Sequence, residues 1–102
     1  MKFEIYGPFT LPKKDNGLVD FTRLSRKDFW AAIREQVPGL PEACGCYVLA
    51  AKGAQGALPH YVGLAGKQSF EKECSQNHVI GHINNAIANK PRLKPQLFLV
   101  AK

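Results

Sequence analysis

The stretch "CGCYVLAAKGAQGALPHYVGLAG", residues 44–66, decides the fold. It holds two apolar runs separated by a loop with glycines at Gly53 and Gly56. Short apolar runs of this length, bounded by turn residues, read as buried strands joined in a hairpin. The strands are expected near 45–52 and 58–64. Each carries a tyrosine close to a glycine: Gly45-Cys46-Tyr47 in the first, Tyr61-Val62-Gly63 in the second. Side chains alternate along a strand, so register decides whether the tyrosines meet. With Tyr47 opposite Tyr61 or Gly63, both phenols leave the same face; a slip of one residue separates them. A phenol can donate or accept a proton and orient a water. The ordinary alternative is a pair of core or cross-strand aromatics.

Upstream, "KFEIY" alternates and predicts a short strand. "GPFTLPKKDNG" reads as turn-rich, with two prolines and Asn16-Gly17. "FTRLSRKDFWAAIREQV" changes to helical spacing. Ser25 is the expected cap, with Asp28 three residues on, and Phe29, Trp30, Ile33 and Val37 form an apolar stripe. Pro38-Gly39 and Pro41 stop it. Downstream, "SFEKECSQ" begins a helix at Ser69 that "HVIGHINNAIAN" continues, with Val79, Ile83 and Ile87 four apart. Asn89, Pro91 and Pro95 end it. "QLFLV" is a third buried strand. A buried strand in that place needs cover, so the expectation is a further segment beyond Lys102, or a second copy or partner chain over the C-terminal strand.

These 102 residues make one small domain. Apolar content of 45% and charged content of 22% are ordinary for a globular chain. Fourteen Lys and Arg against eight Asp and Glu give +6, which favours polyanionic partners, chiefly nucleic acid. No apolar run approaches the about 18 residues of a membrane span. The opening "MKFEIYGPF" has neither the form of a secretory leader nor that of a transit helix. Three cysteines, an odd count, fit a reduced compartment. The expectation is a cytoplasmic protein without membrane contact.

Other groupings compete for the chemistry. Cys74, His78 and His82 are spaced by four, and Cys44 and Cys46 add thiols, but the spacing of a four-ligand zinc site is absent. No metal ligand is assigned. "NHVIGHINN" superficially resembles a His-Asn-His nuclease, yet its histidines fall on one helical stretch. Gly63-Leu64-Ala65-Gly66-Lys67 ends like a phosphate loop but lacks the loop length and the following Ser or Thr. Candidate phosphate contacts are Lys67, Lys72, Lys90, Arg92 and Lys94 around the sheet, and Arg23, Arg26 and Lys27 upstream.

Gly45-Cys46-Tyr47 followed by Tyr61-Val62-Gly63 resembles the two motifs of the GIY-YIG nuclease superfamily. The resemblance covers residues 45 to about 100. It is closest to small bacterial members with an N-terminal extension and the string Gln68-Ser69-Phe70 followed by Glu73. It implies an α+β fold: a three-stranded antiparallel sheet flanked by helices at residues 44–102, with residues 1–43 an extra strand and helix packed on that core. It implies metal-dependent hydrolysis of a DNA phosphodiester. Tyr47 would activate a water and Tyr61 shape the pocket. Gly63 would admit the nucleic-acid backbone closely. Phosphoryl transfer needs such a positioned water and cations against developing charge.

The chain departs from that pattern twice. The family's arginine should fall within Glu71–Cys74, where Lys72 is the only cation, and lysine lacks the planar fork. His78 resembles a histidine of the same helix. The family's metal-binding glutamate lies beyond the third strand. The resemblance thus gives Tyr47, Tyr61, Lys72 and His78 as catalytic candidates. The expected nucleic-acid contacts are Gly63, from the resemblance, and Lys67, Lys72, Arg92 and Lys94, as cations around the sheet. Mg²⁺ or Mn²⁺ is expected only in a longer parent protein. The expected function is DNA binding by a nuclease-related domain, with cleavage reserved for that parent; the alternative is a non-catalytic nucleic-acid- or protein-binding scaffold.

Overall fold

A computed structural model describes residues 3–101. The elements are β1 (Glu4–Thr10), α1 (Arg23–Gln36), β2 (Gly45–Gly53), β3 (Gly56–Ala65), α2 (Phe70–Cys74), α3 (Asn77–Ile87) and β4 (Lys94–Ala101). The hairpin forms as its sequence indicates, with Gly53 paired to Gly56 across a two-residue turn. Gly56 sits at φ +108°, which glycine adopts freely.

The sheet is antiparallel and has four strands, ordered β1-β4-β2-β3, not the three expected. The N-terminal strand is part of the sheet: it pairs with β4 from Glu4↔Ala101 to Thr10↔Gln96. It also runs through Gly7-Pro8, which read as a turn. An irregularity between Tyr6 and Phe9 absorbs the proline, and an edge strand tolerates the missing N–H. β1 thereby covers the edge of β4 that had been expected to need another segment or a partner chain. β4 is an interior strand, paired with β2 on its other side.

All three helices cover one face. Leu49, Leu97 and Leu99 of the sheet meet Val79, Ile80, Ile83 and Ile87 of α3 in one buried cluster. α1 joins it through Trp30 and Ile33, with Phe29 and Val37 half-buried beside them. Trp30 is fully buried, and its indole N–H donates to Ser75 Oγ at 3.0 Å, tying α1 to the junction of α2 and α3. The opposite sheet face is open: Ile5, Val62 and Leu64 are 73%, 66% and 68% exposed. No helix among the described residues is long and apolar enough to cross a membrane.

Two local expectations change. Ser25 does not cap α1. The N-cap residue is Thr22, and the Asp20 carboxylate collects Thr22 N–H, Thr22 Oγ1 and Ser25 Oγ at 3.2, 2.8 and 3.0 Å. Those bonds, the Thr22 hydroxyl first, hold Asp20 below the usual carboxylate range. The expected single helix from Ser69 is instead two. Ser69 does cap α2 by accepting from Lys72 N–H, but the chain breaks at Ser75-Gln76 and α3 restarts with the Gln76 carbonyl accepting from Val79 and Ile80.

Candidate functional site

Register answers the question posed by the two tyrosines. Tyr47 pairs with Gly63, and Leu49 with Tyr61. The phenols are therefore diagonal neighbours on the helix-covered face, with ring centroids 6.1 Å apart and planes at 41°. Gly63 makes this possible. A Cβ there would lie 2.7 Å from Tyr47 Cε1 and closer still to Cζ and Oη, so the Tyr47 ring lies across the glycine.

Tyr47 is fully buried, and its hydroxyl donates to Glu73 Oε2 at 2.9 Å. Gln68 Nε2 donates to the other oxygen, Oε1, also at 2.9 Å. The short helix α2 exists to deliver this carboxylate. Ser69 caps it, Phe70 and Cys74 are buried beneath it, and Glu73 turns toward the hairpin. Burial first, then the hydrogen bond to Glu73, pushes the Tyr47 phenol well above its ordinary value of 10.0. Burial does the same to the Cys74 thiol.

Tyr61 is half-buried and stacks on the His82 imidazole, centroids 4.2 Å apart and planes at 12°. His78, the histidine expected at the site, is exposed one turn earlier on α3. Lys72 is exposed and does not line the cleft beside Glu73. That cleft, about 400 Å³, is bounded by Leu64, Gly66, Lys67, Gln68 and Glu73, so Lys67 is the cation that faces it. Arg92 and Lys94 lie far away, in the loop before β4 and at its first residue. A larger cleft of about 440 Å³ between Thr10–Pro12 and α1 has Asp28 as its only ionisable group, and carries no chemistry.

Glu73, Gln68 and His82 are the site residues that sequence reasoning did not assign. In the sequence Glu73 stands only in the string that begins at Gln68 and in the window where an arginine was expected. Its true partner is 26 residues away, a contact that spacing does not encode. His82 shares its helix face with His78, and only the tertiary fold selects between them.

The residues present do not suit the divalent ion implied by the resemblance. One carboxylate stands at the tyrosines, and both its oxygens already accept hydrogen bonds. No group of three His, Cys, Asp or Glu side chains converges among the described residues.

The raised Tyr47 pKa has an alkaline signature. The phenol is more acidic in the unfolded chain than in the folded one. Its contribution to stability is present below about pH 10 and is lost as pH rises toward the folded value. Up to about pH 11, phenolate absorbance in Tyr47→Phe is expected to match that of the parent chain. A variant that loses one tyrosine's share of the signal there would show that Tyr47 is exposed to water and free of Glu73. Comparison of the chain with protein-family models, curated proteins and solved structures returns no match.

Proposed function

We propose that this chain is a nuclease-related DNA-binding domain of GIY-YIG type whose tyrosine site binds without cleaving. The observation that carries the reading is the diagonal placement of Tyr47 and Tyr61 on one sheet face, with Gly63 opposite the first phenol. This is the arrangement that the two motifs require, and a one-residue slip would have abolished it. The electrostatics support binding over hydrolysis. A phenol that stays protonated against the Glu73 carboxylate is a weak base for drawing a proton from water, and that carboxylate disfavours a phosphate at the same spot. Lys67, which lines the cleft, and the stacked Tyr61–His82 pair beside Tyr47 remain to meet a strand. In this reading a longer parent would have to bring both the metal-binding carboxylate and a cation to displace Glu73. Three unpaired thiols, two of them exposed, fit a reducing, cytoplasmic setting.

The test is a titration of labelled duplex and single-stranded DNA at two salt concentrations with Mg²⁺ present, followed by a gel of the products. Salt-sensitive binding with intact DNA is the expected result. Absence of binding at low salt would remove the nucleic-acid reading. Cleavage that disappears in Tyr47→Phe would instead make the site hydrolytic. The open face with Ile5, Val62 and Leu64 favours a second reading, a protein-binding scaffold. It predicts that Val62→Lys disrupts a complex while leaving DNA binding intact.

A further inference from the structure

The end of the sheet away from Glu73 gathers cations from three parts of the chain. Lys52 and Lys94 are directly opposed on β2 and β4, the two interior strands. Like charges in that position repel and weaken a sheet. Immediately before Lys94, the loop carries Lys90 and Arg92, both exposed. Lys13 comes from the first loop and is clamped to the same segment: its Nζ donates to the Pro91 and Leu93 carbonyls, each at 3.0 Å. Leu93 packs against Gly53, which holds that segment against the hairpin turn. No acid among the described residues forms an ion pair with these cations. The ion pairs among the described residues are Arg34 with Glu42 and Arg34 with Glu71, elsewhere on the surface. The acid nearest in sequence, Asp15, lies in the turn after Lys14 and forms no ion pair.

We infer that Lys13, Lys52, Lys90, Arg92 and Lys94 form a clamp for the phosphodiester backbone of a nucleic acid, separate from the tyrosine site. The inference rests on the nucleic-acid reading given above. A phosphate between Lys52 and Lys94 would turn a repulsive pair into a shared contact, and released counterions would add to the affinity. By strand alternation Lys52 and Lys94 leave the same open face as Val62 and Leu64, at its hairpin end, and Lys90 and Arg92 flank them from the loop. Five cations in one group, without an ion-paired acid among the described residues, complement the regular charge spacing of a phosphodiester backbone, and the vesicle arm below separates that partner from a lipid surface. From Gly45, beside the cleft, to Lys52, β2 advances seven residues, about 23 Å at its ordinary rise. A duplex advances about 3.4 Å per step, so the clamp and the cleft are about seven base pairs apart.

Two properties test this, salt dependence and length dependence. Labelled duplexes of about 6 and about 16 base pairs would be titrated between roughly 50 and 200 mM salt. The chain would be compared with Lys52→Gln/Arg92→Gln/Lys94→Gln, with Lys67→Gln, and with the control Arg34→Gln on α1, whose guanidinium is already paired with Glu42 and Glu71. The triple variant should bind the longer duplex at least tenfold more weakly, with a log–log salt slope shallower by about 2.7. It should also lose the advantage of the longer duplex. The control should change little. Removing the Lys52–Lys94 repulsion should leave the thermal midpoint unchanged or raised, and Lys52→Gln alone gives the same direction if the triple variant folds poorly. An unchanged slope in the triple variant, with binding lost in Lys67→Gln, would overturn the clamp and leave the tyrosine site as the DNA contact. Binding to neither duplex at low salt would remove both. Capture on anionic phospholipid vesicles through these residues, without DNA binding, would overturn the choice of partner.

Discussion

Gly63→Ala is expected to destabilise the domain by roughly 2–6 kcal/mol and to dismantle the tyrosine site, although the change adds one methyl group. The backbone at Gly63 is ordinary; the constraint is space. The new Cβ would fall inside the Tyr47 ring, near Cε1, Cζ and Oη together. The ring has nowhere to go, because Tyr47 is fully buried against the core. Overpacking of this kind costs about 1–3 kcal/mol. If the ring swings out, Glu73 loses its donor, and an orphaned polar group adds about 1–3 kcal/mol more. Tyr47→Phe cannot rescue the variant, since the clashing ring carbons remain. Tyr47→Leu in the same chain should recover part of the loss. Denaturant melts of the two single variants and the double variant measure this coupling. A Gly63→Ala chain within about 0.5 kcal/mol of the parent would mean that Tyr47 does not lie across Gly63. The site geometry argued from that contact would then fall.

Trp30→Ala should be the most damaging single truncation, at about 3–5 kcal/mol. Trp30 is fully buried, meets Phe29 edge-to-face at 5.2 Å and donates its indole N–H to Ser75. Domains of this size hold about 5–15 kcal/mol in all, so the variant approaches the edge of folding. The thermal midpoint should drop by well over 10 °C, at about 4–8 °C per kcal/mol. Trp30→Phe keeps most of the volume and loses the hydrogen bond, so its cost should be nearer 1 kcal/mol. The shape of the melt is as informative as its midpoint. A single cooperative transition in Trp30→Ala would show that residues 1–43 and the remaining chain fold as one unit. A split transition, with the β2–β3–β4 sheet surviving, would show that α1 is an appendage.

Much of this architecture was legible in the sequence, for identifiable reasons. The β2–β3 hairpin announced itself through apolar runs and turn glycines. α1 and α3 showed their apolar stripes at Trp30 and Ile33, and at Val79, Ile83 and Ile87. What stayed hidden depends on contacts distant in sequence. Gly7-Pro8 looks like a turn until β4 arrives to pair with it, because prolines are admitted at a sheet edge. The break between α2 and α3 carries no glycine or proline; Ser75 is occupied by Trp30, from another helix. The tyrosines were identifiable as candidates, but their neighbour Glu73 was not, because its role exists only once α2 lies over β2. The basic end was half visible. Arg92 and Lys94 could be named, whereas Lys13 and Lys52 joined them only through strand pairing and the clamp on the Pro91 and Leu93 carbonyls.

The interior position of β4 governs how the molecule must be born. During synthesis β1 leaves the ribosome before the other strands, yet Glu4 finds its partner only when Ala101 emerges. The hairpin likewise waits with one side of β2 unpaired. Until then the nascent chain presents two strand edges that chaperones or other nascent chains can engage. When β4 arrives it joins both neighbours at once, so the sheet closes cooperatively and only after its other three strands have been made.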